Sequence, residues 1–123
     1  MISRHPHRNL EAWKKSMDLV ESIYKTTSKF PQHEQFGLTV QLRRASISVP
    51  SNIAEGASSR SGAHFGNYLT IALGSLSELD TQIEIAFRLK YIGDKTFNDI
   101  SEHIDHCKRL VFGLKKSVLK KKE

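Results

Sequence analysis

The stretch that decides the fold runs from Phe65 to Ala86 and reads FGNYLTIALGSLSELDTQIEIA. Its apolar residues recur at spacings that alternate between four and three: Phe65, Leu69, Ala72, Leu76, Leu79, Ile83 and Ala86. Residues at this spacing lie on one side of an α-helix, and a seven-residue repeat is typical of helices that pack side by side. The stretch therefore predicts a long helix packed along its length against others.

The segment after Gly93 repeats this pattern and predicts a further helix. Gly93 is expected to end the helix before it, and Asp94 or Thr96 to begin the new one. The apolar positions of this helix are Phe97, Ile100, Ile104, Cys107, Val111, Leu114 and Val118. On the amino-terminal side of the long helix, Gly56 to Gly62 is the clearest linker, and Ser59 or Ser61 can cap the long helix.

Two more helices are predicted before that linker. The first is expected to begin at a capping Asn9 and to end near Ser28, with its buried side formed by Leu10, Trp13, Met17, Val20 and Tyr24. The second carries one stripe of Leu38, Leu42, Ala45 and Val49 and another of Val40, Ile47 and Ala54. Pro50 lacks the amide that would bond the Ser46 carbonyl, so we expect a kink there, or alternatively a break.

These four segments predict an all-α fold, an antiparallel up-and-down four-helix bundle whose second helix is kinked at Pro50. A chain of 123 residues holds one continuous core, so residues 1–123 form one domain, with flexible ends at 1–8 and 120–123.

Apolar residues outside the predicted core stripes indicate self-association, although a wide core face is the alternative. The predicted oligomer interface consists of Val40, Ile47, Leu73, Phe87, Leu110, Phe112 and Leu119.

The net charge of +6 and the pI of about 9.6 favour a polyanionic partner. No apolar run approaches the roughly 20 residues that span a bilayer, so no membrane-spanning segment is expected, and nucleic acid is predicted as the polyanionic partner in preference to a membrane surface. The single cysteine, Cys107, excludes an internal disulfide and favours the reducing cytoplasm.

Basic residues concentrate in the last predicted helix, where no acid occurs from His106 to Lys122. Helical spacing gathers them into one stripe, and arginines of the second helix and the linker add possible phosphate contacts. The alternative is that this charge only stabilises the helix end and keeps the protein soluble. The predicted nucleic-acid-binding residues are Arg43, Arg44, Arg60, Lys108, Arg109, Lys115, Lys116, Lys120, Lys121 and Lys122.

The sequence offers no catalytic constellation, so no enzymatic activity and no cofactor are expected. His103 and Cys107 have the one-turn spacing of two metal ligands, but structural zinc usually takes four, so no metal is predicted. Glu78, Asp80 and Glu84 lack a nucleophile or a pocket and are interpreted as a solvated face or as partners for a neighbouring subunit.

Four motifs resemble the bacterial four-helix-bundle family of ribosomal RNA intervening sequences: Leu10–Trp13 (LEAW), Gln41–Ala45 (QLRRA), Val49–Gly56 (VPSNIAEG) and Ile71–Leu79 (IALGSLSEL). The resemblance implies a ring-shaped homopentamer, as in the related accessory variability determinant proteins of diversity-generating retroelements. Those relatives bind nucleic acid and a reverse transcriptase through a basic surface. The leading hypothesis is therefore a cytoplasmic accessory protein that binds RNA or DNA, and the alternative is a scaffold for a protein partner.

Overall fold

A computed structural model of the chain describes residues 6–120. Four helices make up most of this part: α1 (Glu11–Thr27), α2 (Leu38–Ala57), α3 (Gly62–Arg88) and α4 (Asp94–Lys120). Short 3₁₀ helices at Pro6–Asn9 and Gln32–Glu34 precede α1 and α2. Each helix packs against the next in the chain, and α1 also packs against α4. The predicted all-α four-helix bundle is confirmed, and the described residues contain no strand.

The core stripes predicted for α3 and α4 are confirmed. From Leu69 to Ala86 every predicted position of α3 is buried, and Ile100, Ile104, Cys107 and Val111 form the buried stripe of α4. Ser61 caps α3, because its hydroxyl accepts a hydrogen bond from the His64 amide at 3.1 Å. No helix within residues 6–120 is long and apolar enough to cross a bilayer.

The predicted buried face of α1 is wrong by one position. The core-facing residues are Ala12, Ser16, Leu19, Ile23 and Thr27, whereas Met17 and Tyr24 are each 38% exposed. The hydroxyls of Ser16 and Thr27 donate to the carbonyls of Ala12 and Ile23, at 2.6 and 2.7 Å, so these small polar residues enter the core fully bonded. The expected Asn9 cap is also wrong, since Leu10 precedes α1 and no side chain caps it.

Helix α2 continues through Pro50, so the alternative of a break at this residue is excluded, whereas the kink stays a prediction. The Asn52 side-chain amide donates to the Ser48 carbonyl at 2.8 Å. The Ser75 hydroxyl of α3 donates to that of Ser48, also at 2.8 Å. The bond from Ser75 fastens α2 to α3 close to the proline, and the bond from Asn52 lies within α2.

Helix α3 ends at Arg88, before the predicted glycine stop. Lys90 adopts the left-handed conformation with φ 68°, which turns the chain out of the helix. The Tyr91 amide then reaches back to the Ala86 carbonyl at 2.9 Å, the bonding of a Schellman-type end. Gly93 lies after this turn, immediately before α4, so its predicted role as the helix stop is wrong.

Candidate nucleic-acid interface

The carboxyl-terminal half of α4 carries the largest group of unpaired basic side chains. Arg109, Lys116 and Lys120 are exposed, Lys115 is half-buried, and none of them forms an ion pair with an acid of residues 6–120. Arg109 shares a shallow depression with Glu102 and Asp105, which offset part of its field. Lys116 and Lys120 therefore present the least compensated positive charge on this helix.

Lys108 belongs to the same predicted stripe but already has an acidic partner. Its ammonium group donates to the Asp80 carboxylate of α3, and about a third of each side chain remains exposed. The pair links α3 to α4 and offsets the charge of Lys108. A phosphate would have to compete with Asp80 for this lysine.

The two adjacent arginines of α2 have different surroundings. The Arg43 Nε donates to the Thr27 hydroxyl at 2.9 Å, and its guanidinium lies 4.4 Å from the centre of the Tyr24 ring. Arg43 therefore fastens α2 to the end of α1. Arg44 is exposed and has no ion pair within the described residues, so it is the arginine whose charge is available to a partner.

Arg60 lies at the same end of the bundle as the last turns of α4. It is exposed in the linker immediately before α3, and the first turns of α3 meet the end of α4, where Leu119 packs over Gly66. A Cβ at Gly66 would lie 2.9 Å from Leu119, so glycine permits this contact. The fold thus brings Arg60 to the end of the bundle that carries Lys116 and Lys120, while Lys121 and Lys122 lie outside the described residues.

The predicted interface residues fall into two groups. Ile47, Phe112 and Leu119 are 42%, 53% and 51% exposed. The other group is half-buried: Leu73 and Leu110 pack against the core, the Phe87 ring stacks on Phe97 with centroids 4.5 Å apart, and Val40 is partly covered. Only the first group offers substantial apolar surface to another molecule.

Ile47 lies in an apolar groove between α1 and α2. The groove encloses about 320 Å³ and is lined by Trp13, Met17, Val20, Ile47, Pro50, Ser51 and Ala54. The sequence pattern predicts that three of these residues fill the core from α1. They line the groove because the core is formed by the neighbouring stripe of that helix.

The side chains that could act as metal ligands or nucleophiles form contacts inside the fold. A ring nitrogen of His103 lies 3.1 Å from the Lys15 carbonyl of α1. Burial raises the pKa of the Cys107 thiol to about 11, so it is protonated and unreactive at neutral pH. Within residues 6–120 no three His, Cys, Asp or Glu side chains are grouped as metal ligands.

A cluster at the opposite end of the bundle had no signal in the sequence. The Glu34 carboxylate accepts hydrogen bonds from the Leu38 amide at 3.0 Å and from the Tyr91 hydroxyl at 2.7 Å. Next to this cluster, Phe36 exposes 88% of its surface. No periodicity marks these residues, because their partners come from separate connections in the chain.

The comparison that settles the family concerns most of the chain. Residues 8–113 match the 23S rRNA-intervening sequence protein family. The chain belongs to this family. The resemblance found in its sequence motifs is thereby confirmed, and the match includes α1, α2 and α3 and reaches residue 113 of α4.

A solved structure shares the fold of this rRNA-intervening sequence family chain. The crystal structure of a protein of unknown function from the S23 ribosomal protein family of Bacteroides thetaiotaomicron is similar with a TM-score of 0.79. The similarity covers 85% of this chain and 95% of that one, at 24% sequence identity. At that identity it shows the four-helix architecture alone. None of the curated proteins matches the chain.

Proposed function

We propose that this protein is a non-enzymatic, oligomeric, cytoplasmic accessory protein that holds the backbone of RNA or DNA against the basic surface of α4. The observation that carries the proposal is the exposure of Lys116 and Lys120 without an acidic partner among residues 6–120. A phosphate backbone is bound mainly through released counterions, so such a surface needs little further geometry. Arg60 extends this basic surface beyond α4, whereas Arg44 is a separate exposed charge, because α2 does not pack against α4 within the described residues.

Oligomerisation is part of the proposal, because a single stripe of this kind supplies only weak affinity. The exposed Ile47, Phe112 and Leu119 are candidates for contact with another copy of the chain, most simply in the pentamer that the family resemblance implies. A ring would repeat the stripe on every subunit, and several weak contacts to one nucleic acid would then add through effective concentration. A reverse transcriptase is a candidate further partner of such a ring, again by resemblance.

The test compares two double variants that each remove two positive charges. K116A/K120A removes unpaired lysines, whereas R88A/K95A removes side chains already paired with Glu84 and Asp99 on their own helices. We expect K116A/K120A to weaken binding to a fluorescent RNA or DNA about tenfold or more at low salt, and R88A/K95A to change it little. Equal effects of the two variants, or no binding by the unaltered protein, would contradict the proposal.

A protein-interaction scaffold is the second candidate, supported by the apolar groove between α1 and α2. A groove of this kind suits the apolar face of a partner helix. Replacing Met17, which lines the groove but is not a proposed oligomer contact, by Gln would then abolish capture of that partner while leaving nucleic-acid affinity unchanged. Capture that persists after nuclease treatment separates this candidate from binding bridged by nucleic acid.

A further inference from the structure

Phe36 is the most exposed large hydrophobic side chain among residues 6–120. Its exposed fraction is 88%, compared with 53% for Phe112, the next in order. Large apolar side chains are normally at least partly buried, because burial of apolar surface stabilises the fold. An exposed aromatic ring gives up that stabilisation. The ring contributes nothing to the packing of the bundle, so it is available to a ligand.

The turn that presents this ring is firmly held. The Gly37 amide donates to the Glu34 carbonyl at 2.9 Å, and the Glu34 side chain bonds both the first amide of α2 and the hydroxyl of Tyr91. A Cβ at Gly37 would lie 2.7 Å from the Glu34 carboxylate, so a larger residue there would displace the carboxylate from its present position. The backbone of Phe36 is therefore held on both sides, and little backbone conformational entropy is lost when something binds its ring.

Basic side chains lie at the same end of the bundle. Lys25 and Lys29 are exposed at the carboxyl-terminal end of α1, and neither forms an ion pair with an acid of the described chain. With Tyr91 and the first turn of α4, they line a cavity of about 310 Å³. The short connections of the bundle place this cavity and the Phe36 turn at one end, away from Lys116 and Lys120.

We propose that Phe36 is a stacking platform for an unpaired base, and that Lys25 and Lys29 hold the adjoining phosphates. The ligand class is single-stranded nucleic acid, because the bases of an intact duplex have no free face to offer a ring. This inference rests on the proposed nucleic-acid function and narrows it to strands with unpaired bases. A protein anchor fits less well, since the ring is flanked by exposed polar residues, Gln32, His33 and Gln35, instead of an apolar rim.

The experiment compares F36L, F36W and the unaltered protein for binding of a ten-residue oligo(U) and of a mixed-sequence duplex at one salt concentration. Leucine keeps an apolar side chain but removes the π face, whereas tryptophan keeps the face. We expect F36L to weaken oligo(U) binding about 5- to 100-fold and to leave duplex binding unchanged. F36W should retain the affinity, and its added indole should be quenched by oligo(U).

The matched control is L89A, which removes a 51% exposed apolar side chain that follows α3 at the same end of the bundle. It should bind oligo(U) as the unaltered protein does. Equal oligo(U) affinity of F36L and the unaltered protein would overturn this inference alone. If F36L forms a smaller oligomer but binds oligo(U) unchanged, the inference is also overturned and the ring is identified as a protein contact. If the unaltered protein binds neither nucleic acid, both proposals are overturned.

Discussion

Glu34 is a residue whose pKa is shifted by contacts that form only in the folded chain. Its hydrogen bonds from the Leu38 amide and then from the Tyr91 hydroxyl lower the pKa of the Glu34 carboxyl, and the same contact with Glu34 raises the pKa of Tyr91. A carboxyl whose pKa is lowered by folding stabilises the fold above its usual pKa of about 4.3. That contribution is lost as the pH falls through the lowered value.

The first prediction follows from the two donors of Glu34. Replacing Tyr91 by Phe removes the hydroxyl, so the pKa of Glu34 should rise toward its usual value but stay lowered, because the Leu38 amide is the larger cause. Carbon-detected NMR of the Glu34 carboxyl across acidic pH measures this. Tyr68→Phe is the control and should leave the titration of Glu34 unchanged. If the pKa of Glu34 in Y91F equals that of the unaltered protein, the hydrogen bond from the Tyr91 hydroxyl is absent in solution.

The second prediction separates the two adjacent arginines. Arg43→Lys loses the fork that reaches Thr27 and the flat contact with Tyr24, so the free energy of unfolding should fall by about 1–2 kcal/mol. Arg44→Lys at the exposed neighbour should change it by less than about 0.5 kcal/mol. Urea unfolding at equal protein concentration measures both values. Equal free energies of unfolding for R43K and R44K would contradict the role of Arg43 in fastening α2 to α1.

At the scale of whole helices, the close approach of α2 to α3 depends on Gly56. A Cβ there would lie 2.7 Å from the ring of Phe65 and 2.9 Å from the Cβ of Tyr68, and the latter atom cannot swing away. Gly74 on α3 has nothing within 4 Å of a built Cβ. Both glycines lie within helices, but a side chain at Gly56 would meet close neighbours and a side chain at Gly74 would meet none.

The third prediction uses this contrast. Gly56→Ala should destabilise the protein by about 1–3 kcal/mol through overpacking, whereas Gly74→Ala should stabilise it by roughly 0.5–1 kcal/mol through helix propensity. Thermal unfolding followed by circular dichroism gives the order of the melting temperatures, G56A lowest and G74A highest. A G56A protein as stable as the unaltered one would mean that the two helices separate at little cost.

The repeat of large apolar residues is sufficient to predict α3 and α4, because in both helices these residues are the ones that fill the core. It fails for α1, where Ser16 and Thr27 are buried with their hydroxyls bonded to the helix backbone. A pattern that counts only large apolar side chains passes over such positions. It selects the neighbouring stripe instead, with Trp13 and Met17, and that stripe lines the outer groove.

The candidate interface is predictable in its location but not in the availability of each charge. Spacing along α4 correctly places Lys116 and Lys120 at the surface. It gives no sign that Lys108 pairs with Asp80 or that Arg43 is held by α1, because those partners come from other helices. The Glu34–Tyr91 contact is equally non-local, and the anchored turn beside Phe36 is visible only in the folded chain.

For the molecule as a whole, the charges divide into those offset within the fold and those left for a partner. Arg88 and Lys95 pair with acids one turn away, and Lys108 pairs across helices. Of the charges that remain free within residues 6–120, the largest single group lies on the second half of α4 and at its neighbouring linker, while Lys25, Lys29 and Arg44 lie elsewhere on the surface. This distribution, more than the net charge of +6, supports a polyanionic ligand.

The salt dependence of nucleic-acid binding tests this division most directly. The logarithm of the association constant should fall linearly with the logarithm of salt concentration, and K116A/K120A should reduce the slope by about 0.7–0.9 for each phosphate that the variant no longer neutralises. K108A should reduce it by less than half as much as K116A/K120A, because Asp80 already offsets that lysine. A slope that is the same in the unaltered protein and in K116A/K120A, or binding that does not respond to salt, would contradict a phosphate-binding surface on α4.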